Sequence, residues 1–173
     1  GQLAAGCTEV GTRLARDLGL RLANTDSLFR TIVVNLHTSF EQVQQMVSHG
    51  YIVVDKTLRS MVLDELAKGG VVIEGRSALM GLDRPATLKV FVYRLSEERA
   101  VRVAERRKIE VEEAMEEIRI SDEERRNLVR NLFKREWMDP SIYDTMISTS
   151  RLSFEDVVEV IKLALAKASE RPR

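Results

Sequence analysis

Gly1-Gln2-Leu3-Ala4-Ala5-Gly6-Cys7-Thr8, at the start of the chain, is the stretch that decides the fold. Gly1 and Gly6, with a hydroxyl residue closing the run, keep the spacing of a phosphate-binding loop. Glycines in such a loop let backbone N–H groups curl around phosphate oxygens, and the next helix points its N-terminus at the same anion. A lysine ordinarily adds positive charge and the Ser or Thr ligates magnesium. Here the lysine position is Cys7. Ala4, Ala5, Gly6, Cys7 and Thr8 are therefore the candidate cradle for donor phosphates, and Thr8 the candidate metal ligand.

The downstream residues supply the helix that this reading needs. Val10, Leu14 and Leu18 recur at helical spacing across Glu9 to Leu18, and Gly19 is placed to close that helix. A sheet of this kind has a central strand leading into the loop, without which two strand edges would stand unpaired. A first β-strand ahead of Gly1 is therefore expected.

The bulk figures bound the rest. With 173 residues, 44% of them hydrophobic, the chain is long enough for one substantial core, and we read 1–173 as a single domain. Its 27 basic residues balance 27 acidic ones, which argues against a broad surface for nucleic acid or anionic membrane and makes any anion site local. One cysteine excludes an internal disulfide and a cysteine-based zinc cluster, and no apolar run reaches the roughly 20 residues that span a bilayer. A reducing cytoplasm is the default setting; oligomeric state leaves no trace.

Helical periods alternate with short β-branched runs, the pattern of an α/β sheet flanked by helices. Strands are expected at Leu22 to Thr25, Val71 to Glu74, Leu88 to Tyr93 and Thr145 to Ser148. Ser39 with Gln42 signals a capping box, Lys56 to Lys68 forms a helix before Gly69-Gly70, Ser96 opens another, and Ser153 caps the last. From Ser96 to Trp137 the chain is dense in charge, with arginines at 99, 102, 106, 107, 119, 125, 126, 130 and 135 among glutamates. This is either a solvated helical hairpin laced with ion pairs or a mobile lid that brings cations round the phosphates when substrates are bound.

Taken together, these residues resemble the cytidylate kinase-like family, a branch of the P-loop nucleoside monophosphate kinases. Ala4 to Gly11, with Arg13-Leu14-Ala15 and Leu18-Gly19, is similar to its loop and first helix, and Val71-Val72-Ile73-Glu74-Gly75-Arg76 to its strand ending in Gly-Arg. Asp122-Glu123-Glu124-Arg125 resembles its lid Asp-x-x-Arg; Tyr143-Asp144 and Ile147 to Ser153 resemble its final strand and turn. The resemblance implies ATP and Mg2+ as cofactors and a nucleoside monophosphate, CMP or dCMP, as acceptor. It also implies a helical acceptor-binding arm near 26–50 and a helical lid near 105–135. Departures accompany it: Cys7 replaces lysine, Ile118 stands where cytidylate kinases carry a lid arginine, and Ser77 replaces the aspartate after Gly-Arg.

Several residues keep two readings. Thr8 is a magnesium ligand or a helix cap, and Cys7 a low-pKa thiol or a small spacer. Arg76, at a buried strand end, needs a phosphate or a carboxylate such as Glu74 or Asp83. Asp26 touches the acceptor base or ribose, or caps a helix. Asp122 and Arg125 form a lid pair, or Ser121 and Glu124 a capping box. Thr149 and Ser150 line an adenine pocket or shape a turn, and Trp137 closes over a base or staples the arm to the core. His37 and His49 lack metal-ligand spacing. The catalytic set implied is Arg76, Arg119, Arg125 and Arg130, with Asp122 on the nucleotide side. The rival is a nucleotide-sensing module that kept the fold and lost turnover.

Overall fold

The computed structural model describes residues 1–35, 39, 42 and 54–170. In chain order it forms α1 (Cys7–Leu18), β1 (Arg21–Ala23), α2 (Thr25–Asn35), α3 (Val54–Lys68), β2 (Val71–Ile73), α4 (Arg76–Leu79), β3 (Val90–Tyr93), α5 (Ser96–Arg107), α6 (Val111–Phe133), a 3-10 turn (Pro140–Ile142), β4 (Thr145–Ser148) and α7 (Phe154–Ser169). All four strands fall where the β-branched runs place them, each within two residues at its ends.

The strands pair in parallel as β1 with β2 and β3 with β4. Arg21 lies opposite Val71 in one pair and Val90 opposite Thr145 in the other. Between the pairs runs an apolar slot of about 720 Å³, lined by Val72 of β2, Val90 and Val92 of β3, and Val10 and Leu14 of α1. The start of the chain runs into its rim, where the Gln2 N–H donates to the Val92 carbonyl at 3.1 Å.

Three hydrophobic clusters hold the layers. Val10 and Leu14 of α1 pack with Ile147 of β4 and Val157, Val158 and Ile161 of α7. Phe91 and Trp137 centre a second cluster that takes in Leu58 and Val62 of α3. Their rings meet edge-on at 5.4 Å, and the Tyr143 hydroxyl donates to the Trp137 carbonyl at 2.7 Å. Trp137 is fully buried, so it staples the arginine-rich arm to the core. The third cluster is the seam between α5 and α6, where Ala100 and Val103 meet Ala114 and Ile118. Isoleucine at 118 thus has a structural reason, because burying such a side chain contributes about 1.5–3 kcal/mol.

The caps follow the sequence. Gly19 closes α1 with φ 63°, and Ser153 and Asp156 exchange both bonds of a capping box at the start of α7. Ser39 and Gln42 likewise exchange side-chain and backbone bonds at 3.0 and 3.2 Å. Ser121 and Glu124 do not cap a helix: both lie inside the 23-residue α6. Most of the 26–50 arm after Asn35, including His37 and His49, lies outside the described residues. Among the described residues no helix is long and apolar enough to cross a membrane.

Candidate functional site

Gly6 sets the loop. It precedes α1 with φ 93°, a conformation that costs other residues about 1–2 kcal/mol, and a Cβ there would run into the Phe154 ring. From this turn α1 starts with its first N–H groups pointing out of the helix, the ordinary seat for a phosphate. They face a cavity of about 900 Å³ lined by loop residues Gly1 to Ala4 and Gly6 to Thr8, by Glu74 and Gly75, and by Arg13, Arg102, Arg106 and Arg125.

Distant segments hold the loop's backbone in place. Buried Thr149 donates through Oγ1 to the Ala5 carbonyl at 2.8 Å, tying the end of β4 to the loop. The Gln2 side chain accepts from the Arg94 N–H at 3.1 Å, and Arg99 donates to the Leu3 carbonyl at 3.4 Å. The Ser150 hydroxyl accepts from the Leu95 N–H at 3.2 Å. Thr149 and Ser150 therefore make turn and anchor bonds beside the loop.

Thr8 and Glu74 meet at the cavity wall, with Thr8 Oγ1 donating to Glu74 Oε1 at 3.3 Å. Glu74 is buried at the end of β2, and it comes this close because α1 carries Gly11 there: a Cβ on Gly11 would lie 3.1 Å from the Glu74 Cβ. A hydroxyl and a carboxylate at a helix N-terminus suit magnesium, which takes few protein oxygens and completes its shell with water and phosphate. Among the described residues no three His, Cys, Asp or Glu side chains gather into a fuller cage. The sequence alone offers Glu74 only as a partner for Arg76; the structure sets it against Thr8 in the cavity wall, and its local signal is its position before Gly75-Arg76.

Arg125 reaches the cavity from α6. One of its Nη atoms donates to the Ser121 carbonyl at 2.9 Å and to the Ser121 hydroxyl, while its buried Nε has no partner among the described residues. Burial pushes its pKa down, the Asp122 carboxylate opposing. Arg76 is half-buried and pairs with Glu124 of α6 at 3.1 Å, so its carboxylate partner is neither Glu74 nor Asp83. Asp83 instead pairs with Arg59 at 2.8 Å. Ser77 is buried and shares a 3.0 Å hydrogen bond with Thr25.

Other expected members stand elsewhere. Arg119 is exposed and holds Glu116 at 2.7 Å, and Arg130 holds Glu136 at 3.0 Å; neither lines the loop cavity. Helical phase explains this, since α6 directs position 125 toward the loop and positions 119 and 130 outward. Asp122 is buried against Arg99, with bonds of 3.1 and 2.8 Å, and is not part of the cavity lining. Asp26 lies in the first turn of α2, and its side chain is outside the described residues. Arg102, one of the arginines of the charge-dense arm, lies 4.9 Å over the Phe154 ring and bonds Glu9 at 3.2 Å at the cavity edge.

Comparison with known proteins places this arrangement. A solved structure of an uncharacterized protein from Eubacterium ventriosum superposes with a TM-score of 0.71 at 15% identity, over 95% of this chain and 94% of that one. Shikimate kinase from Acinetobacter baumannii, in complex with shikimate, gives 0.62 at 17% identity, over 99% and 92%. Both show the P-loop kinase fold. The cytidylate kinase of Ignicoccus hospitalis is 32% identical over 165 residues, 95% of each chain. That of Pyrobaculum islandicum is 30% identical over 160 residues, 92% of this chain and 86% of its own. With the model of the cytidylate kinase-like family matching residues 1–151, the chain belongs to that family of P-loop nucleoside monophosphate kinases.

Proposed function

We propose that the protein transfers the γ-phosphoryl group of ATP to CMP or dCMP with Mg2+. The observation that carries this reading is the glycine loop opening α1 onto a cavity with Thr8 and Glu74 on one wall and Arg125 on another. Donor phosphates lie on the N–H groups at the start of α1, where the helix dipole favours negative charge. Thr8 and Glu74 hold the magnesium, which when bound neutralises phosphate charge. Arg76 exchanges Glu124 for the acceptor phosphate, and Arg125 binds the transferring group. The chain needs no strong general base, because positioning and charge neutralisation supply most of the rate in phosphoryl transfer. Asp26, at the start of the acceptor-binding arm, reads base or ribose, while Thr149 and Ser150 border the adenine side.

The domain reading includes a strand leading into Gly1 and seated in the slot between β2 and β3. Facing parallel edges, an apolar lining and the Gln2 to Val92 bond support it. A version carrying such a strand should melt at a higher temperature, with the Ile73 and Val92 amides, which point away from β1 and β4, better protected from exchange; an unchanged melt refutes the strand.

The function is tested by following ADP release with ATP, magnesium and a panel of nucleoside monophosphates. Release specific to CMP or dCMP is the expected result. Silence across the panel, with ATP still raising the melting temperature, would replace the kinase by a nucleotide-sensing module.

A further inference from the structure

We propose that Arg125 supplies to the donor phosphates the positive charge that a lysine at position 7 would bring, so that cation delivery to the loop depends on helix α6. The inference rests on the kinase reading and deepens it. Position 7 has the right place for a lysine and the wrong chemistry: its Sγ donates toward the Gln2 carbonyl at 3.7 Å and brings no cation. The charge must come from other elements on the same cavity. Of the four arginines there, Arg13 is engaged by Glu155, and Arg102 is engaged by Glu9 and lies on the Phe154 ring. Arg106 is exposed on α5.

Arg125 differs from these. It is drawn in from solvent, its Nε is buried without a partner among the described residues, and its hydrogen bonds go to neutral oxygens of Ser121. It lines the same cavity as Cys7, and lies within electrostatic reach of Asp122 and Glu124 as well as of Arg76. Both neighbouring carboxylates are bonded to other arginines, Asp122 to Arg99 and Glu124 to Arg76, so among the described residues this guanidinium, withdrawn from water, has no hydrogen-bonded anion of its own. The helix N-terminus across the cavity is where such an anion would sit. Arginine on a separate helix is not equivalent to lysine in the loop. Loop lysine is present whether or not the lid is placed, whereas Arg125 contributes only when α6 packs as described, so loss of α6 packing lowers donor affinity as well as turnover.

A double-mutant cycle between positions 7 and 125 tests this. Wild type, Arg125→Met, Cys7→Lys and the double variant are compared for affinity toward a fluorescent N-methylanthraniloyl ATP and for kcat with CMP. Arg125→Met keeps apolar bulk, and should lower kcat by about 10²–10³-fold, the range for removing one preorganised donor to a developing charge. Arg125→Lys should fall between it and wild type. Cys7→Lys should recover at least about tenfold in the Met background, a larger gain than it gives in the wild-type background. Because Cys7 is the chain's one cysteine, 2-bromoethylamine offers a second route. Its thiolate sulfur displaces bromide, forming a C–S bond and a lysine isostere in already folded protein. Equal effects of Cys7→Lys in both backgrounds, or an Arg125→Met protein with wild-type affinity and kcat, would overturn the inference. If wild type releases no ADP, the kinase reading fails separately, and non-additivity in analogue affinity alone still decides whether the two positions share one anion.

Discussion

Arg99 and Asp122 form a buried two-pronged bridge, 3.1 and 2.8 Å, and the same guanidinium donates to the Leu3 carbonyl of the loop at 3.4 Å. One cation with 2% of its surface exposed thus joins α5, α6 and the phosphate loop. Removing one partner of such a pair leaves an uncompensated buried charge, which costs about 3–5 kcal/mol. Asp122→Asn should lower stability by that amount in urea unfolding with an unchanged slope. Replacing both residues together by Met and Leu should recover more than half of the loss; equal losses would show that the bridge is not its source.

Glu124 holds Arg76 at 3.1 Å. The pair is partly exposed, so it is worth at most about 1 kcal/mol. Glu124→Gln should therefore lower the KM for the acceptor by up to about fivefold and leave kcat and the melting temperature almost unchanged. A raised KM would mean that Glu124 positions Arg76 for the acceptor.

Thr8 and Glu74 can be separated by their magnesium dependence. Supporting groups at metal sites typically contribute 10–100-fold in affinity. Thr8→Ala and Glu74→Gln should each shift half-saturation by magnesium upward within about that range, with Thr8→Ser close to wild type. If Thr8→Ala and Glu74→Gln both titrate like wild type, the metal is held elsewhere.

Acid stability should report the α7 capping box. Bonds from the Ser153 side chain, and then from its backbone, hold the Asp156 carboxyl below its ordinary range. A depressed folded-state pKa means stability that is fully present above the unfolded value, about 3.9, and is lost as pH falls through the folded value. Ser153→Ala should lower the melting temperature at neutral pH and flatten its decline below about pH 4. Parallel melting curves for the two proteins across that range would exclude the cap as the cause.

Local signals were legible and distant pairings were not. Val90 to Tyr93 and Thr145 to Ser148 announce themselves by β-branched runs, and Ser153 with Asp156 by a spacing of three. The loop was legible because glycine spacing is itself local. The partner of Asp122 was not: Arg99 reads as one more charged residue on a polar helix, and nothing local tells that it turns inward. Ser121 and Glu124 mislead for the converse reason, since a capping pattern signals a helix start only where the preceding residues are not already helical. The resemblance to a lid groups Arg119 and Arg130 with Arg125, whereas helical phase separates them.

The contact between Gly6 and Phe154 bears on how this protein comes into being. The ring that presses on the loop belongs to the first residue of α7, with Arg102 on it and Arg13 bridged to neighbouring Glu155. The loop that ends at Thr8 therefore takes its shape from a helix that begins only at Phe154. During synthesis a chain still attached to the ribosome with α7 inside the exit tunnel would have its glycines but not the wall that shapes them. Nucleotide would then give little support to the unfinished chain, and its stabilising grip would begin only once α7 has emerged.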